Sequence, residues 1–253
     1  LLLNPSQTES EEFYSGHRAI VRPQDCTGCG QCAEWCQFEA IKLSGPGNIA
    51  QIDPLKCEGC KVCVTLCPAE AIDFPDRHCG NWYISDTRFG PMVHAQLFPG
   101  DENSGRLVAL LRKTARELAR DRNKKLILAD GPPGIGCPVI SSLSGTDLVI
   151  IVTEPTISGR HDLERVAGLC SHFKIPAGVI INKFDINTEL AGRIEAYCME
   201  EELMIMGKIH HDGSMTKAMV RRQVIGEYQN SSLTEKIRRV WNRIENATTT
   251  MAG

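Results

Sequence analysis

Apolar residues follow two different periods in the two parts of the chain. In the first part, short alternating segments at 19–21 and 49–52 predict strands that lead into cysteine-rich loops. Two further alternating segments, 82–85 and 92–97, predict a β-hairpin. Residues 1–16 begin apolar and then turn acidic, which indicates the end of a strand followed by a surface connection.

In the second part the period becomes helical, starting with a segment at 104–122 that carries its leucines on one face. Continuous apolar runs then alternate with helical segments. The predicted strands are 124–129, 148–152, 178–181 and 204–206, and the predicted helices after the second, third and fourth strands are 157–172, 187–201 and 214–222. Such runs are typical of parallel strands buried on both faces. The predicted fold class is therefore α/β, with an open, mostly parallel sheet and helices on both faces.

Composition and charge exclude several classes of protein. The 253 residues carry a formal net charge of −3, which does not favour a nucleic-acid partner. No run approaches the roughly 18 apolar residues that a membrane helix needs, and 1–3 is too short for a signal sequence. Twelve cysteines without a secretion signal indicate the reducing cytoplasm.

Eight of the cysteines form two runs with one shared spacing. The runs are Cys26, Cys29, Cys32 and Cys36, followed by Cys57, Cys60, Cys63 and Cys67. Segments 26–41 and 57–72 align without a gap, and each ends in Glu-Ala-Ile, so the stretch is an internal repeat. A zinc site needs only four ligands, and a disulfide framework needs an oxidising compartment. The duplicated runs therefore predict two iron–sulfur clusters.

The spacing resembles that of bacterial two-cluster ferredoxins, in which the fourth cysteine of each run ligates the cluster of the other run. This resemblance implies two [4Fe-4S] clusters with crossed ligand sets. Cluster I takes Cys26, Cys29, Cys32 and Cys67, and cluster II takes Cys57, Cys60, Cys63 and Cys36. Gly28, Gly30 and Gly59 fit loops that need positive φ. One departure is Gln37, where the second run has Pro68.

Polar residues follow the predicted strands, at the edge where open α/β folds bind ligands. Asp130 ends the first strand in the manner of a Walker B carboxylate, which orients Mg²⁺ through water. Gly131-Pro132-Pro133-Gly134 can present a backbone N–H to a γ-phosphate. Asn182 can donate to and accept from a purine edge. Asp212 is a weaker candidate for the same base pocket.

Together these features resemble the MinD/Mrp/ParA group of P-loop ATPases, and more closely the MinD-superfamily ATPases with an inserted ferredoxin domain. The likeness rests on 130–138, Glu154-Pro155-Thr156, Glu102-Asn103-Ser104-Gly105 and the two cysteine runs, and it covers essentially the whole chain. It implies a P-loop NTPase-like fold, truncated at its N-terminus, with an inserted α+β ferredoxin-type module.

The resemblance also implies domain limits. Residues 1–16 are a remnant of the ATPase domain with a linker, 17–76 are the ferredoxin domain, and 77–253 are the remainder of the ATPase-like domain.

The family begins with a strand and a loop of the form Gly-x4-Gly-Lys-[Ser/Thr], and no such motif occurs in this sequence. We expect the loop to lie upstream of Leu1, with a degenerate ATPase as the alternative. ATP and Mg²⁺ are therefore expected only in the complete protein.

The two cysteine runs and the ATPase resemblance together predict electron transfer through the two clusters to a redox protein partner. In the complete protein this transfer is coupled to ATP binding and hydrolysis in a cytoplasmic homodimer. One alternative is a non-catalytic electron-transfer or iron–sulfur carrier module on a degenerate ATPase fold. Another is a redox-sensing ParA/MinD-like positioning ATPase.

Four further features of the sequence lead to smaller expectations. In a dimer, Cys137 could meet its symmetry mate and bridge a metal, whereas Cys79 has no assigned role. His94 is expected to have a structural role in its strand. The amphipathic segment 233–244 predicts a helix packed on the sheet, in preference to peripheral membrane contact.

The crossed ligand sets predict the outcome of Cys36→Ser. We expect this variant to lose cluster II and keep cluster I, because Cys36 belongs to the first run but serves the second cluster. The measurement is iron content together with electron paramagnetic resonance of the reduced protein. Loss of the cluster held by Cys26, Cys29 and Cys32 would show that the ligand sets are not crossed.

Overall fold

A computed structural model describes residues 2–101, 104–229 and 231–251 and divides the chain into two packed units. One unit comprises Leu1–Ser6, Thr87–Gly90 and Gly105–Gly253, and the other comprises Gln7–Asp86 and Pro91–Ser104. We call them the α/β unit and the cysteine unit. Glu102 and Asn103, which carry part of the MinD resemblance, lie outside the described residues.

The cysteine unit consists of short strands and two single-turn helices. In chain order these elements are β1 (Ser6–His17), β2 (Ile20–Val21), α1 (Gln31–Glu34), β3 (Ile41–Ser44), β4 (Ile49–Ile52), α2 (Val62–Thr65), β5 (Ile72–Asp73), β6 (Asp76–Thr87) and β7 (Gly90–Leu97). β2 pairs antiparallel with β5, and β3 pairs antiparallel with β4. Each pair joins the two halves of the internal repeat, so the two cysteine loops are fixed against one another.

A separate sheet of order β1-β6-β7 completes this unit. The predicted hairpin is present as β6 and β7, but the prediction for residues 1–16 is wrong in one respect. Instead of a strand end and a connection, Ser6–His17 forms one long strand at the sheet edge. Its acidic residues remain exposed, and charged side chains are typical of edge strands because they discourage pairing with another chain.

His94 lies within this hairpin sheet, as expected of a structural residue. Its Nε2 is 2.9 Å from the hydroxyl of fully buried Ser85, and its ring stacks on Tyr83 at 5.2 Å. Burial lowers the pKa of His94, so the neutral imidazole is favoured.

The α/β unit alternates helices with parallel strands. Its elements are α3 (Gly105–Asp121), α4 (Cys137–Leu143), β8 (Val149–Thr153), α5 (Ile157–His172), β9 (Ala177–Asn182), a 3₁₀ turn (Phe184–Ile186), α6 (Thr188–Glu200), β10 (Met204–Ile209), α7 (Ser214–Val220), α8 (Ile225–Tyr228) and α9 (Ser232–Met251). In the described part of the chain, the sheet has the order β10-β9-β8 with all strands parallel.

β9 lies at the centre of this sheet and is covered on both faces. Val179 and Ile181 are completely buried on the face that packs against Leu163 of α5 and Ile194 of α6. On the other face, Ile180 and Met206 pack against Val240 of α9. The prediction of a parallel sheet with helices on both faces is confirmed, and the C-terminal helix packs on the sheet as expected. Among the described helices, none is long and apolar enough to span a membrane.

The predicted strand at 124–129 is absent. These residues form no ladder, and Leu126, Ile127 and Leu128 are exposed by 54%, 46% and 80%. A strand forms only where a neighbour accepts and donates its backbone hydrogen bonds, and no neighbour is described for this segment. The prediction of a buried strand at 124–129 is therefore wrong for the described structure, because apolar composition does not identify the neighbouring strand that a ladder needs.

Candidate functional site

The eight clustered cysteines line two cavities in the cysteine unit. Cavity I, of about 350 Å³ with its mouth included, is lined by the thiols of Cys26, Cys29, Cys32 and Cys67. Cavity II, of about 370 Å³, is lined by the thiols of Cys36, Cys57, Cys60 and Cys63. Each set joins three cysteines of one run to the last cysteine of the other. These are the two groupings that the ferredoxin resemblance implies for clusters I and II.

Glycines allow the loops around the cavities to pack against neighbouring backbone. Gly28 has φ +70°, and a Cβ at this position would collide with the carbonyl of Gly47 in the β3–β4 turn. Gly59, its counterpart in the repeat, has φ +64°, and a Cβ there would collide with the carbonyl of His17. Side chains are excluded at both positions by conformation and by space.

Backbone amides point at the two crossing sulfurs. The N–H of Ala40 donates to Sγ of Cys36 at 3.4 Å, and the N–H of Ala71 donates to Sγ of Cys67 at 3.3 Å. The preceding residues Glu39 and Glu70 both adopt φ +49°, a left-handed conformation that side chains seldom accept. Hydrogen bonds to sulfur stabilise the thiolate form and tune the reduction potential of a bound cluster.

The pKa shifts of the cysteine thiols indicate which kind of group these donors can hold. Burial, with the nearby thiols of Cys57 and Cys60, raises the pKa of Cys63 to about 11. Burial also raises the pKa of Cys32. Thiolates in such places need a cationic group at their centre, because desolvation and mutual repulsion both oppose their charge. Sulfur-only donor sets in apolar cavities fit [4Fe-4S] clusters, which are held by four thiolates each.

Cavity II differs from cavity I by its aromatic lining. Phe38 and Phe74 line cavity II, whereas Ala69 and Leu43 occupy the corresponding places in cavity I. Phe74 stacks on His17 with the ring centroids 4.8 Å apart and the planes at 8°. The sequence analysis missed this pair. One signal was available in the aligned repeat, where residue 74 corresponds to residue 43 and a phenylalanine thus stands in place of a leucine.

A second group of polar residues lies at the carboxyl ends of β8 and β9. Nζ of Lys183 is 2.7 Å from Oε1 of Glu154, and the Asn182 amide donates to the same oxygen at 3.4 Å. Sequence analysis identified Glu154 and Asn182 but assigned no role to Lys183, whose backbone adopts φ +51°. The arrangement holds the Asn182 amide at the edge where α/β folds bind ligands.

The neighbouring loops after β9 and β10 are joined by carboxylates. Asp185 accepts the N–H of His211 at 2.7 Å, which lowers the pKa of that carboxyl group. Asp212 accepts the N–H of Ser214 at 2.8 Å, and this bond likewise lowers its pKa. Both side chains are therefore ionised acceptors at neutral pH. For Asp212, the contacts that the structure shows are with the start of α7 and with His210.

The remaining nucleotide candidates are the residues from Asp130 to Gly134. Asp130 is exposed, as are Gly131, Pro133 and Gly134, while Pro132 is half-buried. Within the described residues, no hydrogen bond or ion pair joins Asp130 to Asn182 or Asp212. Four of the five predicted residues from Asp130 to Gly134 are thus exposed.

The other cysteines fall into two classes. Cys170 and Cys198 are buried in helices, as expected of small apolar side chains. Cys79 is also buried, and its thiol donates to the carbonyl of Ser15 at 3.3 Å. Cys137 is exposed at the start of α4.

Comparisons with known proteins match one segment of the chain to a protein family and the fold to a solved structure. The 4Fe-4S dicluster domain family matches residues 25–71. The α/β fold is similar to that of the MinD cell division protein of Aquifex aeolicus, with a TM-score of 0.50 and 21% identity over 65% of this chain and 69% of that chain. The chain therefore contains a segment of the 4Fe-4S dicluster type, and its fold is similar to that of MinD.

Two archaeal proteins of Methanocaldococcus jannaschii are similar along the chain. The uncharacterized protein MJ0578 is 31% identical over 221 residues, which are 87% of this chain and 72% of MJ0578. The chain belongs to the same family as MJ0578. The uncharacterized protein MJ0579 is 25% identical over 143 residues, 53% of this chain and 52% of its own length.

The close approach at Gly59 predicts the effect of Gly59→Ala. We expect the variant to lose cluster II, because the added Cβ displaces His17 or the loop that carries Cys57 and Cys60. Iron content and electron paramagnetic resonance of the reduced protein measure the loss.

Gly45→Ala is the matched control for this variant. Gly45 has φ +69° but no atom within 4 Å of an added Cβ, so the substitution introduces backbone strain without a collision. Equal cluster content in Gly59→Ala and Gly45→Ala would contradict the expected role of close packing at the loop.

Proposed function

We propose that the protein transfers electrons through two [4Fe-4S] clusters to a redox protein partner. In the complete protein, the clusters are coupled to ATP binding and hydrolysis by the MinD-like unit. The observation that carries this proposal is the grouping of eight thiols around two cavities, three from one run and one from the other in each.

The proposed ligands are those lining each cavity. Cluster I is held by Cys26, Cys29, Cys32 and Cys67, and cluster II by Cys36, Cys57, Cys60 and Cys63. All eight lie within the proposed ferredoxin domain, 17–76. When bound, a [4Fe-4S] cluster supplies one-electron redox chemistry. The chain itself contributes the thiolates, the amides of Ala40 and Ala71 that donate to sulfur, and apolar walls that restrict water.

The exposed cysteines indicate where electrons can enter and leave. Cys29 and Cys60 are exposed at corresponding positions of the two loops, whereas Cys32 is buried. Electron exchange with a protein partner requires that part of each cluster approaches the surface. The proposed docking face therefore includes both loops, one for each cluster.

The proposed nucleotide site uses the edge beyond β8 and β9. Asn182, held by Glu154 beside Lys183, would contact the purine base. Asp130 would orient Mg²⁺ through water, and 131–134 would contact the γ-phosphate. Asp212 is a further proposed contact of the base. The proposed assembly is a homodimer in the cytoplasm, in which nucleotide changes the contact between copies.

A non-catalytic electron carrier is the second candidate function. The two cysteine-lined cavities support it equally, because electron transfer through the clusters needs no nucleotide. Such a protein would keep both clusters and the α/β unit without hydrolysing ATP.

Coupling predicts that ATP hydrolysis depends on the oxidation state of the clusters. We expect the complete gene product to hydrolyse Mg-ATP at rates that differ severalfold between the oxidised and the dithionite-reduced protein, because nucleotide and cluster oxidation state would each favour one of two conformations of the protein. Phosphate release under anaerobic conditions measures both rates.

Asp130→Asn is the control for this experiment. It removes the proposed Mg²⁺ carboxylate and leaves all eight thiols, so hydrolysis should fall at least about tenfold while iron content is unchanged. Hydrolysis that is equal in both oxidation states contradicts coupling. Absence of hydrolysis with both clusters intact supports the carrier function.

A further inference from the structure

The internal repeat lets the linings of the two cavities be compared position by position, because the alignment of residue 26 with residue 57 continues at the same offset on both sides. The buried walls of the two cavities consist of identical residues at aligned positions. The identical buried pairs are Ala19 and Ala50, Ala40 and Ala71, and Ile41 and Ile72. Differences between the cavities therefore lie at the other lining positions.

At the aligned lining positions that differ, the larger side chain lies at cavity II. With the residue of cavity I first, the pairs are Ala69 and Phe38, Leu43 and Phe74, Gly30 and Lys61, Thr27 and Glu58, and Val21 and Ile52. Two lining residues have no lining counterpart, Pro68 at cavity I and Val62 at cavity II. The cavities have similar volumes, about 350 Å³ and about 370 Å³, so the larger side chains of cavity II do not fill the space for the cluster.

The larger residues of cavity II stand at its mouth. Phe38 is 44% exposed and Val62 is 40% exposed, although both line the cavity. Phe74 is half-buried and stacks on the ring of His17, and the amine of Lys61 lies over the Phe74 ring, 5.9 Å from its centroid. The stem of a lysine covers apolar surface while its charged end stays in water. Phe38, Phe74 and Lys61 together therefore cover the mouth of cavity II.

The corresponding places at cavity I hold less side chain. An added Cβ at Gly30 would lie 3.3 Å from Cδ1 of Leu43, so Gly30 stands beside Leu43 as Lys61 stands beside Phe74. Glycine covers nothing, and Leu43 is 39% exposed. Lys61 keeps its place in a left-handed conformation, φ +69°, that side chains rarely adopt. The second loop thus carries a covering side chain at a conformational cost, whereas the first loop does not.

We propose that dioxygen reacts selectively at cavity I, and that the cover formed by Phe38, Lys61 and Phe74 protects the cluster of cavity II. The shell of side chains around a metal centre controls the access of solvent and small solutes. This inference rests on the proposed binding of two [4Fe-4S] clusters. It makes cavity I a site of oxidative modification, at which one cluster is damaged while the other stays in place.

The reaction balances with dioxygen as the oxidant. Dioxygen takes one electron from a [4Fe-4S]²⁺ cluster and becomes superoxide, and the oxidised cluster releases one Fe²⁺ and becomes [3Fe-4S]⁺. The departing iron is the one that Cys29 holds, because Cys29 is the exposed ligand of the cavity I set. The bonds from this iron to three sulfides and to Sγ of Cys29 break, and the Cys29 thiolate takes up a proton from water.

Alkylation of the freed thiol tests the proposal on the wild-type chain. Anaerobically prepared, oxidised protein with both clusters is mixed with air-saturated buffer that contains iodoacetamide and no denaturant, and the peptides are followed by mass spectrometry. Cys29 should be alkylated severalfold faster than Cys60, because its cluster loses iron first. Both residues are exposed, so the difference reports cluster loss and not the exposure of the residue. Exposed Cys137 is the reference for alkylation itself.

Electron paramagnetic resonance follows the cluster in the same samples. The signal of [3Fe-4S]⁺ should rise with the alkylation of Cys29, since the oxidised [4Fe-4S]²⁺ form gives no signal. Equal rates at Cys29 and Cys60, or a faster rate at Cys60, would overturn the proposal. Alkylation of Cys29 that is equally fast without air would overturn it as well, because dioxygen would then not be the cause.

The repeat supplies exchange variants that test the cover directly. Leu43→Phe combined with Ala69→Phe gives cavity I the aromatic residues of cavity II, and it should slow the alkylation of Cys29 severalfold. An unchanged rate in this variant, with both clusters loaded, would contradict the proposed role of the cover.

The reverse exchange is Phe38→Ala combined with Phe74→Leu. It should raise the alkylation rate of Cys60 towards that of Cys29, and an unchanged rate at Cys60 would count against the cover. Phe98→Leu is the matched control, because Phe98 is a 41% exposed phenylalanine of the same unit that lines neither cavity.

Iron content before air is admitted separates this inference from the proposed function. Anaerobic protein with fewer than two clusters would contradict the proposed function and this inference together. Two clusters that lose iron at one rate would contradict this inference alone. If an exchange variant does not load its clusters, the comparison of Cys29 with Cys60 in the wild-type chain still decides.

Discussion

Desolvation of the sulfur ligands, together with repulsion among them, is the constraint on which the cysteine unit depends. Four thiols surround each cavity, and both burial and the neighbouring thiols raise the pKa of Cys63 to about 11. The thiolate form is stable there only beside a positively charged iron cluster. Buried apolar residues of this region are mostly small, including Ala19, Ala40, Ala50 and Ala71, so they contribute little hydrophobic stabilisation. We therefore expect cluster binding and folding of this unit to be coupled.

Local spacing is sufficient to predict the cysteine loops, because three thiols two residues apart lie on one tight turn. The same spacing could not predict what packs behind the loops. The carbonyls of Gly47 and His17 that face Gly28 and Gly59 come from the β3–β4 turn and from the end of β1. The acidic sequence of β1 indicated a surface connection, and only its pairing with β6 makes it a strand.

In the α/β unit, too, the local sequence pattern predicts an element, whereas the neighbour it pairs with cannot be predicted from that pattern. Residues 177–182 were predictable as a central strand because every position is apolar or small up to Asn182, and both faces are covered. Residues 126–129 are equally apolar, but they form no strand among the described residues because no neighbour completes the ladder. At the strand ends, Asn182 could be identified from sequence, whereas its contact with Glu154 depends on two strands lying side by side.

The central claim is that the eight thiols hold two four-iron clusters. Mössbauer spectroscopy of the anaerobically prepared protein, with iron and acid-labile sulfide determined per chain, tests it most directly. The account predicts about eight irons and about eight sulfides per chain, all in [4Fe-4S] form. Stoichiometric zinc without sulfide, or about four irons in a single cluster, would contradict it.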